Sequence, residues 1–204
     1  GHEPQVPAML PAARPEDYDA EEPEKAEQEA VRGRQEVGDL EGVPALVALL
    51  QGESLPVVRD AANALYNLSL LPKNAEALLT ALPTLSQGLR HTNAAVRAAM
   101  AGVLMNVCAT ASSCREALFT AGLLPQLLAA LAAAHRAAPA PAEASGEEAS
   151  AAATRSASAD AVEELEVRRN ALGALNNLLL DANAAAALRA AGGIEILTTI
   201  LHEV

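Results

Sequence analysis

Aromatic side chains are nearly missing from this chain of 204 residues, which has no Trp, two Tyr and one Phe. So few rings cannot form an aromatic cage for a cation, a stacking platform for single-stranded nucleic acid or an aromatic belt at a membrane surface. Because hydrophobic residues still make up 51% of the chain, we expect Ala and Leu to build most of the core.

Cysteine is scarce as well, with Cys108 and Cys114 as the two in the chain. Two cysteines are too few for a disulfide framework, and no histidine lies near them in the sequence to complete a metal site. We therefore expect no bound metal and two reduced thiols, which are typical of cytoplasmic and nuclear proteins.

Long apolar runs and an excess of basic residues are also absent. No run approaches the roughly 20 residues of a membrane-spanning helix. The 26 acidic residues outnumber the 14 Lys and Arg, for a net charge of −12, which argues against binding to a phosphate backbone. We expect neither a membrane span nor a nucleic-acid partner.

No catalytic or cofactor-binding motif is found along the chain. It has no glycine-rich phosphate loop after a strand, no nucleophile elbow and no metal-ligand spacing. Its four histidines stand in no recognisable motif with a carboxylate or a thiol, and His2 follows Gly1 in what resembles the remnant of a cleaved tag. We therefore expect no enzymatic activity and no cofactor.

The acidic residues are concentrated in two segments of low complexity. Residues 1–41 carry twelve acidic and four basic side chains, and residues 136–165 carry six and two. Stretches rich in Ala, Ser, Pro and Glu bury too little apolar surface to offset the ordering entropy, roughly 1 to 2 kcal/mol per residue. We therefore predict a disordered acidic leader at 1–27 and a disordered insertion at 134–161.

A repeated helical string is the main feature of the sequence. In its first copy, five apolar residues fall on one face of a helix: Val57, Ala61, Ala64, Leu65 and Leu68. A second copy begins at Val96 and a third at Val167. The step from the first copy to the second is about 40 residues, a period typical of stacked helical repeats, whereas the step to the third is much longer.

A second apolar string precedes each copy. Its proline is Pro44 in the first copy and Pro83 in the second, at the same distance from Val57 and from Val96. In the third copy Pro125 stands much further from Val167. An insertion therefore separates the two strings of the third copy, where the composition already indicates disorder. A partial fourth copy occupies 192–201.

A short unit fills the space between these strings, at 74–81, 113–121 and 183–191. Each opens on a residue suited to a helix N-cap, and Gly122 and Gly192 follow the last two with the conformational freedom that a helix end requires. The repeat thus contains a short, a medium and a long helix. Such a unit cannot bury its apolar face alone, so the copies must stack into a solenoid.

At this point the chain resembles the armadillo repeat family. The resemblance rests on Gly-x-Pro-x-Leu-Val-x-Leu-Leu at 42–50 and on Ala-Leu-x-Asn-Leu around Asn67, echoed at Asn106 and Asn177. It implies an all-α, armadillo-type right-handed superhelix of three to four repeats over residues 28–203. HEAT repeats share that superhelix and are the alternative, although the glycine turn and the asparagine favour armadillo.

The resemblance also implies a concave groove lined by the long third helices. In the family, one Asn of each repeat hydrogen-bonds the main chain of an extended peptide, and the corresponding residues here are Asn67, Asn106 and Asn177. An amide suits this role because it offers a donor and an acceptor together. The alternative is that these amides bond to backbone groups inside the solenoid.

One turn earlier, peptide-binding members carry Trp rings that form pockets for lysine. This chain has Asn63, Gly102 and Gly173 there, so those pockets are absent and the glycines would instead admit a partner's backbone or side chain closely. Three Asn hydrogen bonds supply roughly 1.5 to 4.5 kcal/mol, against about 8 kcal/mol for micromolar affinity. Further anchors are therefore needed, and the best placed are Tyr66, Met105 and Asn176.

Four arginines stand near the start of the long helices: Arg59, Arg97, Arg168 and Arg169. We expect them to be solvated. If they instead form a shared binding site, they would bind an acidic partner segment, such as the chain's own leader.

These observations favour a non-enzymatic interaction module or scaffold that binds a protein or peptide segment in the groove. Two alternatives are a co-chaperone of the nucleotide-exchange-factor type and an architectural segment of a cytoskeletal or junctional assembly. Because the last string is a second helix with no third helix after it, we expect the chain either to be a fragment of a longer protein, which is the favoured alternative, or to bury its uncapped C-terminal end in a partner or, by self-association, in a second copy.

Overall fold

The structure, a computed structural model, describes residues 21–137 and 151–202. In these residues the chain forms eleven α-helices and no strand. The helices are α1 (Glu21–Asp39), α2 (Gly42–Leu49), α3 (Leu55–Ser69), α4 (Ala75–Thr80), α5 (Leu82–Gly88), α6 (Ala94–Thr110), α7 (Ser112–Thr120), α8 (Leu123–Ala137), α9 (Ala151–Leu178), α10 (Ala182–Ala190) and α11 (Gly193–His202). A 3-10 turn, Pro72–Asn74, precedes α4. The prediction of an all-α fold is confirmed.

The helices form stacked groups of three. The groups are α1 to α3, α4 to α6 and α7 to α9, and α10 and α11 begin a fourth. The third helices pack side by side, α3 against α6 and α6 against α9, and the second helix of each group packs against its own third helix. The predicted helical solenoid is therefore confirmed.

One continuous apolar core joins the repeats. It includes Leu65 of the first repeat, Leu104 of the second and Leu175 of the third, each 2% exposed or less. The two aromatic side chains of the described residues, Tyr66 and Phe119, pack only at its edge. Ala and Leu supply most of the buried side chains, as the composition predicts.

The first long helix differs from the other two at its start. Val96 and Val167 are buried, but Val57, which holds the same place in α3, is 42% exposed. Val167 packs against Ala98 of the preceding third helix. No described third helix precedes α3, so nothing covers Val57 there, and Val58 is buried in its place.

The helices extend into both segments that the composition marks as disordered. α1 begins at Glu21, so residues 21–27 are helical; residues 134–137 belong to α8 and residues 151–161 to α9. For these residues the structure differs from the prediction, because Ala, which dominates 134–137 and 151–161, and Glu, which dominates 21–27, are both good helix formers. The rest of both segments, 1–20 and 138–150, lies outside the described residues.

The caps of the short first helices are only partly where the sequence indicates them. Asp181, and not Asn183, caps α10, since its carboxylate accepts hydrogen bonds from the amides of Asn183 (2.8 Å) and Ala184 (3.1 Å). Asn74 is buried, and its Nδ2 donates to the carbonyl of Leu68 at 2.9 Å. The amide therefore fixes the turn after α3 and makes no cap for α4.

A residue in the left-handed conformation precedes the second helix in three of the four repeats. Gly122 (φ 77°) and Gly192 (φ 69°) hold this place in the later repeats, as the sequence predicts, but Glu41 (φ 57°) holds it in the first. A side chain disfavours this conformation, so Glu41 is strained where the glycines are not.

We predict that Glu41→Gly raises the free energy of unfolding by about 1 kcal/mol, because it removes that strain. Urea denaturation followed by circular dichroism measures the change. Gly122→Ala is the matched control, since no atom lies within 4 Å of the added Cβ; it should lower stability by a similar amount. A Glu41→Gly variant less stable than the wild type would contradict the prediction.

Candidate functional site

All nine residues predicted for the groove lie on the three long helices, whose common surface we call the third-helix face. They are Asn63, Tyr66 and Asn67 on α3, Gly102, Met105 and Asn106 on α6, and Gly173, Asn176 and Asn177 on α9. Asn63, Asn67 and Asn176 are exposed and Gly102 is buried, while the other five are half-buried. The face therefore presents a row of amides at its surface.

The amide nitrogens of this row connect neighbouring third helices. Asn106 Nδ2 donates to Ser69 Oγ of α3 at 2.8 Å, and Asn177 Nδ2 donates to the Met105 carbonyl of α6 at 3.1 Å. Within the described residues, the Oδ1 atoms of Asn106 and Asn177 accept no hydrogen bond, and the Asn67 side chain makes none. The row thus holds the solenoid together through its nitrogens and keeps its oxygens available.

The two glycines of the face admit side chains of the chain itself. A Cβ on Gly102 would lie 2.6 Å from two ring carbons of Tyr66, and a Cβ on Gly173 would overlap the end of Met105. In both cases the side chain comes from the preceding third helix. The close approach that the sequence indicates is therefore present, but it serves helix packing inside the solenoid.

We predict that Gly102→Ala lowers the free energy of unfolding by about 1 to 3 kcal/mol, because the rigid Tyr66 ring occupies the space that the added Cβ needs and has to move out of its packed position. Gly173→Ala should be nearly neutral, since the flexible Met105 side chain can change rotamer and alanine is the better helix former. Urea denaturation of both variants tests this. Equal losses of stability would contradict it.

A cavity of about 230 Å³ lies between α3 and α9, above the start of α6. Asn63 and Tyr66 of α3 line one wall, and residues 162–170 of α9 line the other. The floor consists of small side chains of α6: Ala95, Ala98 and Ala99. Two of the predicted site residues therefore face a real depression.

Three of the four arginines near the start of the long helices pair with acidic residues of α9: Arg59, Arg97 and Arg169. The Arg97 guanidinium bonds to the Glu164 carboxylate, and both side chains are nearly buried, at 14% and 9% exposed. Arg59 Nη2 lies 3.4 Å from Glu163 Oε1, with side chains 45% and 25% exposed. The expectation of a solvated role is wrong for Arg97, and the acidic residues that pair with Arg59 and Arg97 are Glu163 and Glu164, in the middle of α9.

The Arg97–Glu164 pair fixes the start of α6. Arg97 Nη1 also donates to the carbonyls of His91 (2.6 Å) and Thr92 (2.9 Å), just before that helix. Within the described part of the chain, Glu164 Oε2 and Asn170 Oδ1 are buried without a hydrogen-bond partner. Removing the carboxylate would leave the Arg97 charge uncompensated.

We predict that Glu164→Ala lowers the free energy of unfolding by about 3 kcal/mol, because an unpaired buried charge is costly. Glu166→Ala is the matched control: its carboxylate pairs with Arg169 on the same helix and is more exposed, so its loss should stay within about 0.5 kcal/mol. Thermal or urea unfolding distinguishes the two. Equal effects would contradict a structural role for the buried pair.

The cysteines are free and buried. Burial raises the pKa of the Cys108 thiol to about 12, and nearby Arg115 opposes that rise only in part, so the thiol stays protonated and unreactive near neutral pH.

Among the described residues, no three His, Cys, Asp or Glu side chains are grouped as a metal site requires. Taken singly, none of the described helices is long and apolar enough to cross a membrane; α7 and α8, bent by 79°, meet that test only as a pair.

Comparisons with known proteins bear on the first repeat and on the fold. Residues 31–70, from α1 to the end of α3, match the family model described as Armadillo/beta-catenin-like repeat. The fold is similar to the crystal structure of an engineered protein from the Northeast Structural Genomics Consortium, with 22% identity and a TM-score of 0.50 over 91% of this chain and 85% of that one.

A second engineered protein from the same consortium is similar at 22% identity and a TM-score of 0.49, over 81% of this chain and 44% of that one. No match to a curated protein was found. The resemblance that the sequence carries is thus confirmed by the match at residues 31–70.

Proposed function

Since residues 31–70 match an armadillo repeat, we propose that the chain is a non-enzymatic interaction module that binds a partner protein segment along the third-helix face. The armadillo repeat and the helical solenoid support a protein-interaction scaffold in general. The observation that favours this face is its row of amides, whose oxygens are free to accept hydrogen bonds.

An extended protein segment offers what these oxygens need. Its backbone presents N–H groups at regular intervals, and an amide oxygen accepts them whatever the partner's side chains are. Asn106 and Asn177 keep Oδ1 available because their nitrogens are already bonded inside the solenoid. Asn67, whose side chain is exposed, can both donate and accept.

Apolar anchors must add to these bonds. Three hydrogen bonds contribute roughly 1.5 to 4.5 kcal/mol of binding free energy, whereas micromolar affinity requires about 8 kcal/mol. Tyr66 and Met105 are half-buried beside the amides, and both residue types are enriched at protein interfaces. Asn176, exposed on α9, extends the polar row.

We predict that Asn67→Ala weakens partner binding about three- to tenfold without loss of stability, because this side chain makes no bond inside the solenoid. Asn177→Ala should weaken binding and also lower stability by about 1 kcal/mol, since it removes the bond to the Met105 carbonyl. Partners captured on wild-type protein would be identified by mass spectrometry and titrated calorimetrically against each variant.

Asn183→Ala is the matched control, because Asn183 is an exposed asparagine on α10, away from the third-helix face. It should leave both affinity and stability unchanged. A partner that binds all three variants as it binds the wild type does not use this face, and that result would reject the proposal.

The compartment and self-association are proposals as well. The cytoplasm or the nucleus is supported by two free, buried thiols. Self-association is supported by Leu165 and Leu172, which are exposed on α9 at the positions that Ala94 and Ala101 hold on α6, where they are covered. Sedimentation at increasing protein concentration would detect it.

A further inference from the structure

We infer that residues 160–164 of α9 hold one end of the third-helix face closed, through an ion pair between Glu163 and Arg59 of α3 that an incoming partner segment must displace. We call residues 160–164, which precede the places on α9 that match the starts of α3 and α6, the α9 extension. The displacement of this contact by a partner rests on the proposed function. The contact itself is present in the free chain.

The α9 extension exists because α9 begins unusually early within its repeat. α3 and α6 begin two residues before Val57 and Val96, but α9 begins sixteen residues before the corresponding Val167. Fourteen additional residues lengthen a helix by about 21 Å. The third long helix therefore runs well beyond its two neighbours.

The extension lies beside α6 and reaches α3 through one ion pair. Glu164 bonds to Arg97 of α6, and the next residue back, Glu163, reaches Arg59 of α3, which is 104 residues away in the sequence. Glu163 lines the cavity, with Tyr66 on the α3 wall and α6 alanines as the floor. The extension therefore lies opposite Asn63 and Tyr66 across the cavity.

The two ion pairs differ in how easily they break. The Arg97–Glu164 pair is nearly buried and is costly to separate. The Arg59–Glu163 pair is partly exposed, so it contributes little and is weakened by salt. The extension therefore opens at α3 while it remains anchored at α6.

The unpaired charge of Arg59 at the open end indicates which partner segment can bind there. Once Glu163 leaves, the Arg59 guanidinium loses its anion and faces the segment that enters beside Asn63 and Tyr66. A carboxylate in that segment restores the pairing. The partner segment is therefore acidic at the position that lies against Arg59.

Glu163→Gln tests the closed contact, and Glu166→Gln is its matched control. Both carboxylates belong to α9 and line the same cavity, but Glu166 pairs with Arg169 of its own helix. Hydrogen exchange of the amides at 160–166 should be about two- to fivefold faster in Glu163→Gln, the change expected on loss of a partly exposed ion pair, and unchanged in Glu166→Gln.

Tyrosine emission provides a second measurement, because the chain has no Trp. In a Tyr18→Phe background, Tyr66 is the remaining tyrosine, and acrylamide should quench it more strongly in Glu163→Gln than in Glu166→Gln. The charge exchange of Arg59→Glu with Glu163→Arg should restore the wild-type exchange rate. Equal behaviour of the two Gln variants, or no restoration by the charge exchange, would overturn the inference.

The partner's role is tested separately. A partner captured by the wild type should bind Glu163→Gln about two- to fivefold more tightly and Arg59→Gln more weakly. Unchanged affinity in both variants would overturn the gating role. If no partner binds the wild type, the proposed function fails, and the exchange rates of the free chain still decide whether the contact is closed.

Discussion

The side-by-side packing of three long helices is the constraint on which the rest of the structure depends. α6 lies between α3 and α9, and each junction is made by a side chain that enters the space above a glycine of the next helix: Tyr66 above Gly102, and Met105 above Gly173. Such close packing needs small residues on one side and well-placed large ones on the other. The short and medium helices complete a core that no single repeat could bury alone.

This packing gives the amide row a double role. The nitrogens of Asn106 and Asn177 bond to the preceding helix, which orients each amide and leaves its oxygen available. Stability and the proposed partner binding therefore depend on the same residues, except at Asn67, whose side chain has no bond inside the solenoid. Glu163 of α9 adds a further restriction, since we infer that its ion pair with Arg59 closes one end of the face on which these amides lie.

Periodicity predicts much of this architecture, because the regular return of the long and medium strings requires stacked helical units whatever the details of packing. Composition is a weaker guide to which segments are ordered. It marks 134–161 as disordered, yet Ala134 is buried in α8, because alanine-rich sequence is compatible both with a chain that lacks a core and with a stable helix. Gly102 and Gly173 illustrate a similar limit: a glycine in a helix indicates that something approaches closely, but not that the approaching group is Tyr66 or Met105.

The sequence by itself determined the all-α repeat, the positions of the long helices and the left-handed turns at Gly122 and Gly192, since these follow from local geometry and regular spacing. Only the tertiary structure decided which charged side chains form ion pairs. Glu164 and Arg97 are 67 residues apart and Glu163 and Arg59 are 104 apart. No spacing in the chain encodes those pairings, because they depend on how far α9 extends across its neighbours once the helices have stacked.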